Sequence, residues 1–220
     1  MPLGWLTTTI ALLAASLVAN RLVPAAHLVI GLASVVVLLV VAWAAGLTRA
    51  ELGLTRWLSG LRWGGAAAGL AILGYAVALV VARDELAGAA DQSWPDVLLA
   101  GLVVIPLGTV VAEELAFRGV LWALLARRHS EWTATAVSSV LFGLWHVLPA
   151  LGGGAANEVA TGALGGGPAG TAARVAGTVL LTGAGGVVFC WLRMRSGSLL
   201  APVLLHWALN ACGLLVVQLA

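Results

Sequence analysis

Val110-Val111-Ala112-Glu113-Glu114-Leu115-Ala116-Phe117-Arg118-Gly119 sets three ionisable side chains inside an otherwise apolar run that extends from about Val97 to Ala126. About 20 apolar residues suffice for a helix to cross the hydrocarbon core of a bilayer. The whole chain decides whether this run is such a span. It has 220 residues, 61% hydrophobic and 9% charged, with a mean hydropathy of +1.06. Soluble domains carry about 25% charged residues. So few charges cannot cover the surface of a water-soluble fold, so lipid is the solvent. In lipid the backbone must satisfy its own hydrogen bonds. The expected fold is therefore all-α, a polytopic transmembrane helix bundle of about seven helices, with six to eight allowed by length, in one membrane domain over 1–220.

Working outward from that run, the other apolar stretches separate at polar breaks. Span 1 covers about Leu3–Ala19, span 2 Pro24–Leu47, span 3 Trp63–Ala82, span 4 Val97–Ala126, span 5 Trp132–Ala150, span 6 Ala173–Leu192 and span 7 Leu199–Leu219. Thr48–Arg62, with Arg49, Glu51, Arg56 and Trp57, reads as a short interfacial helix. Arg83–Asp96 reads as a polar loop. Leu151–Gly170, with two Gly-Gly-Gly triplets, reads as a mobile external linker. The small residues Gly183, Gly185 and Gly186 suit close helix packing. The first run lacks a basic flank and is expected to be a retained span.

All eleven basic residues are arginines. Arg49, Arg56, Arg62, Arg127, Arg128, Arg193 and Arg195 fall after spans 2, 4 and 6, against Arg21, Arg83 and Arg174 after spans 1, 3 and 5. The positive-inside rule then expects a multi-pass cell-membrane protein with a cytoplasmic N-terminus. The arginines form no basic patch, so nucleic acid is not an expected partner. Trp43, Trp57, Trp63, Trp94, Trp122, Trp132 and Trp191 lie near run ends, where interfacial indoles belong. Cys190 and Cys212 fall in apolar runs without CxxC spacing and read as packing thiols.

Ionisable groups in a membrane default to functional hypotheses. Glu114 and Arg118 stand at i and i+4, acid first, the favourable order for an ion pair. That pair reads as structural. Glu113 points about 100° away and is left free to work. Span 5 adds Phe142 and His146, one turn apart, and span 7 adds His206 and Asn210, also one turn apart. Each alone has a plain reading as a core histidine or helix–helix contact. Together, one spare carboxylate, two imidazoles and an amide on three helices point to one shared site.

That set suits peptide hydrolysis. Glu113 can take a proton from water, His146 can hold the water or complete the base, and His206 and Asn210 can donate to the oxyanion. In a second version a zinc ion sits on Glu113, His146 and His206, a two-His, one-carboxylate set with an open position for water. The helix motif His-Glu-x-x-His is absent, so such a site would be assembled across helices.

Glu113-Glu114…Arg118, Phe142…His146 and His206…Asn210 resemble, in order, the motifs of the CPBP family, the CAAX proteases and bacteriocin-processing enzymes also called Abi. Phe117-Arg118-Gly119 fits the extended first motif, and Ser198-Leu199 and Pro202 also look like the family. The resemblance covers about 94–213, and Glu51-Leu52-Gly53-Leu54 looks like the link after the family's second helix. It implies an intramembrane endopeptidase acting on a membrane-anchored peptide or protein. Glu113 and His146 would activate water, and His206 and Asn210 would form the oxyanion site, with zinc or with a metal-free, glutamate-dependent mechanism. Two other classes compete. A non-proteolytic scaffold or bacteriocin-immunity protein would keep the polar residues as helix–helix glue. A proton-coupled carrier would use them as a relay, and no internal repeat supports it.

Overall fold

The computed structural model describes residues 4–81, 92–153 and 155–220. Its described residues form eight helices: α1 (Gly4–Leu22), α2 (Pro24–Ala44), α3 (Trp57–Val81), α4 (Trp94–Ala126), α5 (Glu131–Ala150), α6 (Ala155–Leu164), α7 (Pro168–Ser196) and α8 (Leu200–Leu219). Seven of these, all but α6, are long and apolar enough to cross a membrane. The protein is thus the expected all-helical bundle. Helix α4 packs against α2, α8, α5 and α1, while α3 lies along α8 and α5 along α7.

Helix starts follow from side chains able to cap free N–H groups. Ser93 accepts from the Asp96 N–H at the head of α4, and Ser130 accepts from the Thr133 N–H at the head of α5. Helix α4 is not uniformly α-helical: Ala100–Val110 and Leu115–Leu121 are π-helical, with one α-turn, Val111–Glu114, between them. Pro106 lies in the first π segment. It has no N–H and its ring crowds the carbonyl four residues back, which a wider turn relieves. Helix α5 breaks at His146, where φ is −85° and ψ is 0°, between Glu131–Trp145 and Val147–Ala150. Pro149 cannot donate to the Trp145 carbonyl, so the regular ladder stops there.

Glycines let backbones touch. A methyl built on Gly31 of α2 would run into the Gly108 backbone of α4, and one on Gly143 of α5 would lie 2.6 Å from the Val179 carbonyl oxygen of α7. Gly183 and Gly186 do pack on α5, but a methyl on Gly185 would meet nothing within 4 Å among the described residues.

Three expectations need correction. Thr48–Arg62 is not an interfacial helix. Thr48–Gly53 is a knot of turns, and α3 begins at Trp57. Glu51 accepts from the Thr48 N–H and hydroxyl and pairs with Arg127 at 2.5 Å, so the segment is fixed to the end of α4. The Arg193 guanidinium donates to the Glu51 carbonyl at 2.8 Å, and the Leu199 N–H donates to the Gly53 carbonyl at 2.8 Å. These bonds tie the ends of α2, α4, α7 and α8 into one cluster. Leu151–Gly170 is not a free linker either, because it contains α6. Asn157 donates to the carbonyls of Pro149 and Gly152, and Arg174 donates to the Ala150 carbonyl, satisfying the groups that α5 leaves open at its end. Trp122 is buried, with its indole N–H on Thr135 at 3.2 Å, and does not belong to the interfacial belt. Most of Arg83–Asp96 lies outside the described residues.

Two predictions follow from these contacts. Gly31→Ala forces α2 from α4 and is expected to cost about 1–3 kcal/mol, read as a lower unfolding midpoint in detergent, whereas Gly65→Ala, which meets nothing within 4 Å, leaves the midpoint unchanged. The Arg127 hydrogen bonds hold the Glu51 carboxyl down, from the usual 4.5 to about 2. Its contribution to stability is therefore full above its unfolded value and lost as pH falls through the folded one. The midpoint difference between wild type and Glu51→Gln should persist at neutral pH and close between 4.5 and about 2.

Candidate active site

The α-turn between the two π segments of α4 carries both glutamates. They point apart. Glu114 faces the bundle interior, where its Oε1 meets Arg118 at 2.9 Å with both side chains fully buried. The same oxygen accepts from His206 Nδ1 of α8 at 2.8 Å. The expected ion pair is present, and it recruits a histidine as well. Arg118 spreads its remaining charge over aromatic faces, its Cζ 4.0 Å from the centre of the Phe142 ring and 4.8 Å from that of Phe189. Phe189 stacks on His206, centroids 5.0 Å apart and planes 19° from parallel.

Glu113 lines a small cleft with Trp145 of α5. The Trp145 indole N–H donates to Glu113 Oε1 at 2.9 Å. Glu113 Oε2 is buried and has no hydrogen-bond partner among the described residues. It lies 3.9 Å from His206 Nε2, too far for a direct bond. Polar groups at such separations are natural places for a bridging water. His206 thus spans the two glutamates, Nδ1 on one and Nε2 facing the other.

His146 sits at the break in α5, in the bridge region of backbone space where many active-site residues are found. Its Nδ1 lies 2.8 Å from the Phe142 carbonyl. A carbonyl only accepts, so Nδ1 carries the proton and Nε2 keeps its lone pair in the neutral ring. Its ring meets Phe142 edge-on at 4.7 Å, and Phe142 meets Phe117 at 5.1 Å. Phe142 therefore orients His146 from one side and supports Arg118 and His206 from the other. Asn210 follows His206 by one turn but is exposed, and its side chain has no hydrogen-bond partner among the described residues. His206 is buried at 4% exposure. The two do not bond each other.

Among the described residues, no three His, Cys, Asp or Glu side chains gather closely enough to hold a metal ion. One nitrogen of His206 is committed to Glu114, and its other faces Glu113 from 3.9 Å.

The family described as Type II CAAX prenyl endopeptidase Rce1-like matches residues 94–212. The chain belongs to this Rce1-like family. The matched stretch contains α4 to α7 and about two-thirds of α8, and with them every residue of the site except those supplied by α1 and α2. No curated protein and no solved structure matches the chain. The family makes the chain a CAAX-type intramembrane protease.

Sequence reasoning overlooked Trp145 and His27. Trp145 lies inside its apolar run rather than at its end, and a buried indole N–H needs an acceptor. His27 of α2 stands at the head of a span, where a histidine reads as interfacial. It bonds Asn20 and Thr109 on the wall of the Glu113 cleft. Arg118→Ala would leave Glu114 as an uncompensated buried charge, with an expected loss of about 3–5 kcal/mol. A thermal melt in detergent would register it as a large drop in midpoint or as failure to yield folded protein.

Proposed function

We propose that this Rce1-like protein hydrolyses a peptide bond of a membrane-anchored peptide or protein with a water activated by Glu113. The single observation that carries this reading is the Glu113 carboxylate: one oxygen is fixed by Trp145, and the other is buried, unpartnered and directed at the gap before His206. Glu113 accepts a proton from the water, and the resulting hydroxide oxygen attacks the scissile carbonyl carbon. His146, its Nδ1 held by the Phe142 carbonyl, completes the base, its Nε2 lone pair able to share the proton that Glu113 takes up. His206 and Asn210, one turn apart on α8, are the oxyanion donors, which requires His206 to carry a proton on Nε2 as well as the Nδ1 proton it shares with Glu114. Glu113 then returns its proton to the leaving amine, so no net proton is consumed in the step. Glu114 and Arg118 take no part in proton transfer; they hold His206 in place.

The geometry favours a metal-free, glutamate-dependent mechanism, since Glu113, His146 and His206 form no three-ligand cluster. The family description supports a prenylated carboxy-terminal substrate. The arginine asymmetry supports a cytoplasmic N-terminus in the cell membrane.

The test is cleavage of membrane-anchored peptides, prenylated and not, by purified protein, with zinc content measured on the same samples. Wild type should cleave. Glu113→Ala and His146→Ala should fold and lose at least about 100-fold in kcat/KM. Activity unchanged by metal removal supports the glutamate mechanism, and activity that tracks zinc content contradicts it. Cleavage that survives Glu113→Ala overturns the assignment, and an unaffected biological role in Glu113→Gln would favour a non-proteolytic scaffold.

A further inference from the structure

Outside the family-matched segment, α1 and α2 bring a hydrogen-bonded chain to the wall of the Glu113 cleft. His27 Nδ1 lies 2.9 Å from Asn20 Oδ1, and His27 Nε2 lies 2.7 Å from Thr109 Oγ1. The roles in this chain follow from what each atom can do. The Asn20 carbonyl oxygen only accepts, so Nδ1 donates to it. In the neutral ring Nε2 then accepts, and the Thr109 hydroxyl must donate. Its proton is spent on His27, and its oxygen keeps lone pairs for the cleft.

Thr109, like Ser138 on the Phe117 carbonyl, bonds across helices rather than within its own. Thr9, Ser34, Thr161, Thr182 and Ser196 each donate to the carbonyl four residues earlier. That local bond is the ordinary choice for a helical Ser or Thr in a membrane. Thr109 instead reaches across to α2, in the π-helical part of α4 and one turn before Glu113. The cleft that holds Asn20, His27, Thr109, Glu113 and Trp145 leaves about 30 Å³ open to the centre of a water molecule, room for at least one. It is bordered by Ser16 and Ser34, which also border a wider groove of about 270 Å³ between α1 and α2.

We propose that this cleft delivers and orients the hydrolytic water, with Thr109 as the positioning residue and Asn20–His27 as its fixed support. The water donates one hydrogen to Thr109 Oγ1 and the other to the Glu113 carboxylate, both of which line the same cleft. Its lone pairs are then turned away from both acceptors, toward the substrate carbonyl. On attack, the O–H bond to Glu113 breaks, the proton moves to the carboxylate, and the water oxygen bonds the carbonyl carbon. This role rests on Glu113 being the base, as proposed above.

The test has two arms. In the first, steady-state kinetics compare Thr109→Val, an isostere without the hydroxyl, with Thr109→Ser, which keeps it. Valine should lower kcat about 10-fold, the loss of one hydrogen bond, with KM unchanged, and serine should restore kcat to near wild type. In the second, Ser34→Cys and Val36→Cys are made in a chain whose Cys190 and Cys212 are replaced by alanine, and each is treated with a water-soluble methanethiosulfonate. Ser34→Cys, at the cleft, should react; Val36→Cys, exposed on the outer side of α2, should not. Equal unreactivity of the two cysteines, wild-type kcat in Thr109→Val, or no rescue by serine would each overturn the proposal. The labelling arm needs no cleavage, so a dry cleft is told apart from failure of the Glu113 assignment, which shows as cleavage by Glu113→Ala.

Discussion

A guanidinium and a carboxylate buried together in a membrane-spanning bundle must neutralise each other, and the rest of the site is arranged around that requirement. Arg118 and Glu114 are fully buried and 2.9 Å apart. Removing either leaves a bare charge in a medium that cannot solvate it. The pair therefore fixes the face that α4 turns inward. His206 bonds the same Glu114 oxygen, which sets the rotation of α8. Phe142 and Phe189 lie over Arg118, which brings α5 and α7 to the same point. Four helices thus converge on one charge pair, and Glu113, the next residue on α4, is turned out of that cluster into a cleft.

The same logic explains why the two adjacent glutamates have different surroundings. Glu114 accepts from Arg118 and His206 at one oxygen. Each keeps its other oxygen buried and without a hydrogen-bond partner among the described residues, but Glu114 is held by a guanidinium and an imidazole, whereas Glu113 accepts from the Trp145 indole and lines the cleft. Prolines supply the departures from regular helix that the geometry uses. Pro106 lies in the widened part of α4, and Pro149 ends the ladder of α5 just where His146 is needed. Away from the site, Glu51, Arg127 and Arg193 lock the helix ends, so the bundle is held both at its polar rim and at its buried charge.

Much of this was legible in the sequence. Run lengths gave the spans, and the i, i+4 spacing of Glu114 and Arg118 gave the ion pair. The one-turn spacing of Phe142 and His146 put them on one face, where their rings meet. What was not legible depends on distance across helices. No local pattern says that His206 bonds Glu114, or that His27 meets Thr109, 82 residues away in the chain. The one-turn rule put His206 and Asn210 on one face, yet His206 is buried against Glu114 while Asn210 is exposed. Composition misled in the Gly-rich stretch after α5, where Ala155–Leu164 is helical and Asn157 closes the preceding turn. Composition also misled at Thr48–Arg62, where the hydrogen bonds of Glu51 favour a turn over a helix.

The central claim is a division of labour between adjacent glutamates, and it can be measured without a substrate. Thermal unfolding of Glu113→Gln and Glu114→Gln, side by side in the same detergent, is the direct test. Glu113→Gln should melt within about 2 °C of wild type, because the amide can still accept from Trp145. Glu114→Gln should fall by roughly 10 °C, because Arg118 loses its buried counter-charge. Equal midpoints for the two variants, or a greater loss in Glu113→Gln, would contradict the account.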